Sequence, residues 1–150
     1  MSTKENDTDL EPLLNTQQNQ LSMVVSNGDG IDNKALALLA TNIAILIFIG
    51  QADLQISEWW HYALLLIPYL LSLSVTASAL QPKAYLGASI DLEQHPAYLS
   101  LSKEALLLQL LADTKEAIIQ NQKVNEVHWR RCLIAAAFTA IGTAMLFAVL

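Results

Sequence analysis

The 150-residue chain is 53% hydrophobic and only 15% charged, and most of its apolar residues are gathered into three runs that can lie in lipid. Its single cysteine, Cys132, excludes a disulfide within one chain. Eight dispersed Lys and Arg residues against a net charge of −6 leave no aromatic-laced basic face for a nucleic-acid polymer.

Residues 1–32 are rich in Asn, Gln, Asp, Ser and Thr and close on Asn27-Gly28-Asp29-Gly30. That composition predicts a disordered tail with a flexible stop before the first helix. An acidic flank is wrong for a secretory signal, which needs a basic one. The apolar patch at 21–25 has the makings of a short interfacial element, and Asp9-Leu10-Glu11-Pro12-Leu13-Leu14 has the spacing of an acidic dileucine sorting signal, although chance produces so short a match readily.

The first membrane segment, residues 35–50, reaches bilayer length only with a few flanking residues. Asn42 lies inside it and is expected to hydrogen-bond across helices, with Ala37, Thr41 and Ala44 as a small-residue face beside it. The turn at 51–61 carries Asp53 and Glu58 but no Lys or Arg. Trp59 and Trp60 follow as interfacial anchors, since amphipathic rings prefer the headgroup level. The second segment, residues 62–80, contains Pro68, which is expected to bend it. Ser72, Ser74, Thr76 and Ser78 are available there to satisfy backbone groups or to line a wet seam.

Residues 81–131 are too few to bury a core alone. The first half holds Pro82, Gly87 and Pro96 and reads as loop with a turn or brief strand. The second half is helical, because Ser102 can cap it, Glu104 suits the first turn, and no Pro or Gly follows until Gly142. One helix is therefore expected from about Lys103 to Leu150, roughly 70 Å at the standard rise. Leu107, Leu111, Thr114, Ile118, Asn121, Asn125 and His128 share one stripe of it, which suits a seam between subunits; the alternative is that Leu106, Leu107, Leu110 and Leu111 cover the chain's own loop.

The third membrane segment, residues 132–150, carries no charge. Ala136, Ala140 and Ala144 recur every fourth residue with Gly142 beside them, a pattern that lets helix backbones approach and predicts self-association as a homo-oligomer, or packing on the chain's own helices. Cys132 at the head of this segment is either a small apolar residue or a site for a reversible acyl group. Because no ionisable residue sits at mid-membrane depth, helix packing is favoured over a pore.

The positive-inside rule places the turn at 51–61 outside. The N-terminus and residues 81–131 are then cytoplasmic, and the C-terminus lies on the outer side. Arg130 and Arg131, with Lys123, His128 and Trp129 just before them, read most simply as an interfacial anchor for anionic headgroups. Lys123, His128, Arg130 and Arg131 are also the candidate contacts to a ligand phosphate. Neither metal-ligand spacing among His61, His95 and His128, nor a phosphate loop, nor a nucleophile with its base is recognisable, so no enzyme, cofactor or metal is expected.

The expected fold is an all-α membrane protein with three transmembrane helices and a long cytosolic helix continuous into the third. Its divisions are the tail at 1–32, a transmembrane hairpin at 33–80, a cytosolic loop and helix at 81–131, and the third crossing at 132–150.

Over residues 31–150, this layout, with Asp32-Asn33-Lys34-Ala35-Leu36-Ala37-Leu38 opening the first membrane helix and Trp129-Arg130-Arg131 leading into the last, resembles the small bacterial membrane effectors of the Pycsar antiphage systems. The resemblance implies an inner-membrane effector that responds to a cyclic pyrimidine nucleotide made during infection and then associates to damage the membrane. The rival expectations are a structural or accessory subunit of a larger membrane complex and a minimal channel or transporter component.

Overall fold

The computed structural model describes residues 7–52, 59–87 and 101–149. Among them the chain forms three α-helices and no strand: α1 (Asp7–Gln51), α2 (Trp59–Ala79) and α3 (Lys103–Val149). All three are long and apolar enough to cross a membrane. Most of the expected outer turn, and the loop that holds His95 and Pro96, lie outside the described residues.

α3 is one helix, as its lack of breakers predicts. Ser102 Oγ accepts the Ala105 N–H at 3.3 Å and satisfies one of the donors that a helix start leaves open. α2 runs through Pro68, which is buried, and ends before Pro82.

The tail is a correction. Residues from Asp7 onward, expected to be disordered, are the first half of α1. Composition concealed a period: Leu14, Leu21, Gly28, Ala35, Asn42 and Ile49 fall seven apart and are all buried. The polar residues occupy the other faces. Such a helix is marginal alone and is held by packing of its one apolar stripe. The dileucine-like Leu14 and the patch residues Leu21 and Val24 belong to this stripe and are buried in the fold.

The same period runs through the other helices. In α3 it is Leu107, Thr114, Asn121, His128, Ala135 and Gly142, with Leu111, Asn125, Cys132 and Leu146 between them; in α2 it is Leu65, Ser72 and Ala79, with Tyr69 and Thr76. A seven-residue repeat keeps one seam turned toward neighbouring helices that pack side by side.

Two compact units share these helices. One comprises Met1–Gly28 and Lys83–Asn125. Its apolar cluster is Leu14 with Leu107 and Leu111, flanked by Leu10 and Leu110, and Lys103 Nζ pairs with Glu11 Oε1 at 2.7 Å. Within this unit the α3 stripe expected as an intersubunit seam meets parts of its own chain: Leu107 and Leu111 pack on Leu14 of α1, and Asn121 and Asn125 bond residues 85–86 and Val24. Asn121 grips the backbone of Leu86, accepting its N–H at 2.9 Å and donating to its carbonyl at 3.0 Å. Tyr85 donates to Asn125 Oδ1 at 2.6 Å, and Asn125 donates to the Val24 carbonyl at 2.6 Å. Lys83 donates to the Gly28 carbonyl at 3.0 Å. These bonds dock residues 83–86, which have no regular secondary structure, on the two helices.

The other unit comprises Asp29–Pro82 and Glu126–Leu150. It has two apolar clusters, Ile31 with Ala35, Ala79 and Cys132, and Ile49 with Leu65, Tyr69 and Leu146. Cys132 is 5% exposed and fills the seam, as a small apolar residue would.

Candidate functional site

Within the second unit, the three helices meet in a polar layer whose groups satisfy one another. Asn42 Nδ2 donates to Ser72 Oγ at 2.9 Å and to the Leu38 carbonyl of its own helix at 2.9 Å. Ser72 Oγ donates to the Ala135 carbonyl at 2.8 Å, and Thr139 Oγ1 donates to Asn42 Oδ1 at 3.0 Å. A hydroxyl has one proton, and in this arrangement both are used. Asn42 and Ser72 have no exposed surface. The expectation that Asn42 bonds across helices is met, but inside one chain rather than at an interface between chains.

Gly142 is likewise an internal contact. A Cβ there would lie 2.8 Å from Tyr69 Cζ, so only glycine lets the Tyr69 ring approach α3 this closely. Ala136, Ala140 and Ala144 point elsewhere, being exposed on the outer surface of α3. Residues expected to act together are thus divided, Asn42 and Gly142 facing inward and the three alanines outward. Ala37, Thr41 and Ala44 of α1 are exposed as well.

The basic residues are divided in the same way. His128 is buried, and its Nδ1 lies 2.7 Å from the Ala79 carbonyl. A carbonyl only accepts, so Nδ1 carries the proton. Arg131 donates to the Ser78 carbonyl at 2.7 Å. Both carbonyls belong to the last turn of α2, which leaves carbonyls without helical partners and carries no basic residue of its own. α3 supplies the cap instead, and its positive group opposes the negative end of the helix dipole. His128, expected as a phosphate contact, thus spends Nδ1 on an internal bond and is enclosed. Arg131 has spent one donor on the cap.

Arg130 pairs with Glu126 one turn earlier, at 2.5 Å, with both side chains mostly in solvent. Lys123 is exposed, in the part of α3 that belongs to the first unit. Sequence reading missed Lys34, whose Nζ lies 4.8 Å from the centre of the Trp129 ring. In the sequence it stands only as part of the run that opens the first membrane helix, with nothing to pair it with Trp129.

Trp59 is 81% exposed and Trp60 lies against His61, with ring centres 3.5 Å apart. Comparison with protein-family models, characterised proteins and solved structures finds no match to this chain.

Proposed function

We propose that this chain is a small three-pass protein of the bacterial inner membrane, with its N-terminus and residues 81–131 in the cytoplasm, that works without enzymatic chemistry as an effector of a nucleotide-signalled antiphage system. On this reading it self-associates in the membrane and perturbs the bilayer when a cyclic pyrimidine nucleotide is present.

The observation that carries the membrane part is the inversion of polarity in the second unit. Ile43, Ile47, Phe48, Leu64, Leu70, Ile134, Ile141 and Phe147 are exposed, while Asn42, Ser72 and Thr76 are fully enclosed. A water-soluble bundle places these classes the other way round, whereas lipid accepts the first arrangement. The effector part is supported by the resemblance, and the residues that carry it occupy structural positions: Ala35 is fully buried at the seam and Lys34 covers Trp129.

A second reading, an accessory subunit of a larger membrane assembly, is favoured by the internal use of His128 and Arg131, which leaves fewer cations for a nucleotide. Dye entry into cells expressing the chain with and without a pyrimidine cyclase separates the two. The effector reading expects leakage only with the cyclase, and expects a Gly-Gly insertion after His128 to abolish it while the protein stays in the membrane fraction. Leakage unaffected by the insertion overturns that mechanism, and no leakage under any condition leaves the accessory reading.

A further inference from the structure

The fold separates the basic run at the head of the third membrane segment into two jobs. His128 and Arg131 turn inward to α2. Lys34, Trp129 and Arg130 remain on the outside. Leu133 follows Trp129 by four positions and Arg130 by three, so it neighbours both on the surface of α3, and Lys34 of α1 lies over the Trp129 ring. Leu133 is 50% exposed and begins the apolar outer surface, which continues in Ile134 and Ile141. With Lys34 over the Trp129 ring and Arg130 following that residue in α3, two cations from different helices stand where the apolar outer surface begins. No Lys or Arg occurs at the opposite end of the spans, between residues 51 and 61.

We propose that Lys34, Trp129 and Arg130 form a binding site for the phosphate headgroup of an anionic phospholipid, whose acyl chains lie on Leu133. The proposal rests on the membrane reading above and adds to it a lipid class, one leaflet, and a site shared by two helices. Charge complementarity selects the occupant. A phosphodiester with net negative charge satisfies the lysine ammonium and the guanidinium together, whereas a zwitterionic headgroup brings its own cation into the site. Glu126 is an opposing charge on Arg130. Its pair with Arg130 is 72% and 59% exposed, a solvent-screened contact of low strength, and it leaves guanidinium donors for a second acceptor. The aromatic ring fixes the depth of the site, because Trp prefers the headgroup level, and it holds Lys34 by a cation–π contact. The bound lipid ties α1 to α3 where the apolar surface begins, so leaflet composition sets how firmly that end of the unit is held.

The test uses the full-length chain in a neutral detergent, its thermal unfolding followed after addition of phosphatidylglycerol, phosphatidylcholine, inorganic phosphate or 3′,5′-cyclic UMP. Phosphatidylglycerol is expected to raise Tm by about 3 °C or more over phosphatidylcholine, as a ligand that binds only the folded state does. The soluble phosphates are expected to give no comparable rise. The double variant Lys34→Gln with Arg130→Gln is expected to lose this increment while unfolding normally in phosphatidylcholine, and Lys34→Arg to keep it. Native mass spectrometry of the wild type, counting retained phosphatidylglycerol in competition with phosphatidylcholine, gives a readout independent of variant folding. Equal shifts from the two lipids, or an increment that survives the double substitution, overturn the site. A soluble phosphate that reproduces the shift shows a free anion to be the occupant and also overturns it. Failure of the protein to enter the membrane fraction is a different result and overturns the membrane reading itself.

Discussion

Gly28 and Gly30 stand two positions apart in α1 and have opposite surroundings. A Cβ at Gly28 would overlap the Tyr85 hydroxyl, whereas one at Gly30 would meet nothing within 4 Å. Helix propensity favours alanine over glycine by about 1 kcal/mol at either site. Only Gly30 can realise that gain, so Gly30→Ala is expected to stabilise the protein by about 0.5–1 kcal/mol. Gly28→Ala is expected to lose about 1–3 kcal/mol through the displaced tyrosine and its broken bond to Asn125. Thermal unfolding of the two variants in one detergent checks the sign of each. Glu11 offers a pH test outside the apolar segments. Its hydrogen bond to Lys103, and then the charge of that lysine, hold the carboxyl below its ordinary pKa of 4.5. A lowered folded pKa contributes stability that is present above the unfolded value and lost as pH falls through the folded one. Glu11→Gln is therefore expected to flatten slightly the fall of Tm below about pH 4.5, and added salt to flatten it in the wild type, because this exposed pair is screened. An unchanged acid slope in the variant refutes the contribution.

The helix α2 ends on side chains that another helix provides. His128→Ala leaves the Ala79 carbonyl with its hydrogen bond removed in an enclosed place, at a cost of about 1–3 kcal/mol. Faster amide exchange is expected at the end of α2, around Ala79 and Leu80, with little change in its first turns. Uniform exchange across the helix speaks against the cap. On α3, two alanines separate folding from association. Ala135 has no exposed surface and receives the Ser72 hydrogen bond at its carbonyl, whereas Ala140 is exposed. Ala135→Leu is expected to overpack the seam and lower stability by about 1–3 kcal/mol. Ala140→Leu is expected to leave the fold intact and to weaken any association of helices through the face it shares with Ala136 and Ala144, by about 1 kcal/mol or more. Light scattering in detergent reads this, and an unchanged oligomer, or a monomeric wild type, removes that face as the interface.

At the scale of the whole molecule, the proposed orientation rests on where the cations are. Single cysteines at Gln51 and Lys115, in a background in which Cys132 is replaced by alanine, are expected to react oppositely with an impermeant reagent on intact cells. Gln51 ends α1 and labels; Lys115 lies on the exposed side of α3 and is protected. Labelling of Lys115 from outside reverses the topology.

The three apolar spans, the Ser102 cap and the unbroken course of α3 were legible in the sequence, because each depends on local causes: a run of residues without charge, one hydroxyl before a helix, the absence of Pro and Gly. The stripe from Leu107 to His128 was legible as a stripe, since spacing alone places residues on one face. What covers it was not, because that depends on another part of the chain. The polar first half of α1 was misread for the same reason. Its composition is that of a tail, and only the partner surface of α3 gives Leu14 a place to be buried. The basic residues show the limit most plainly. Sequence groups His128, Arg130 and Arg131 by adjacency, but adjacent residues on a helix lie about 100° apart. Tertiary structure therefore sends two of them to the open carbonyls of α2 and leaves the third outside, next in the chain to the Trp129 that Lys34 covers.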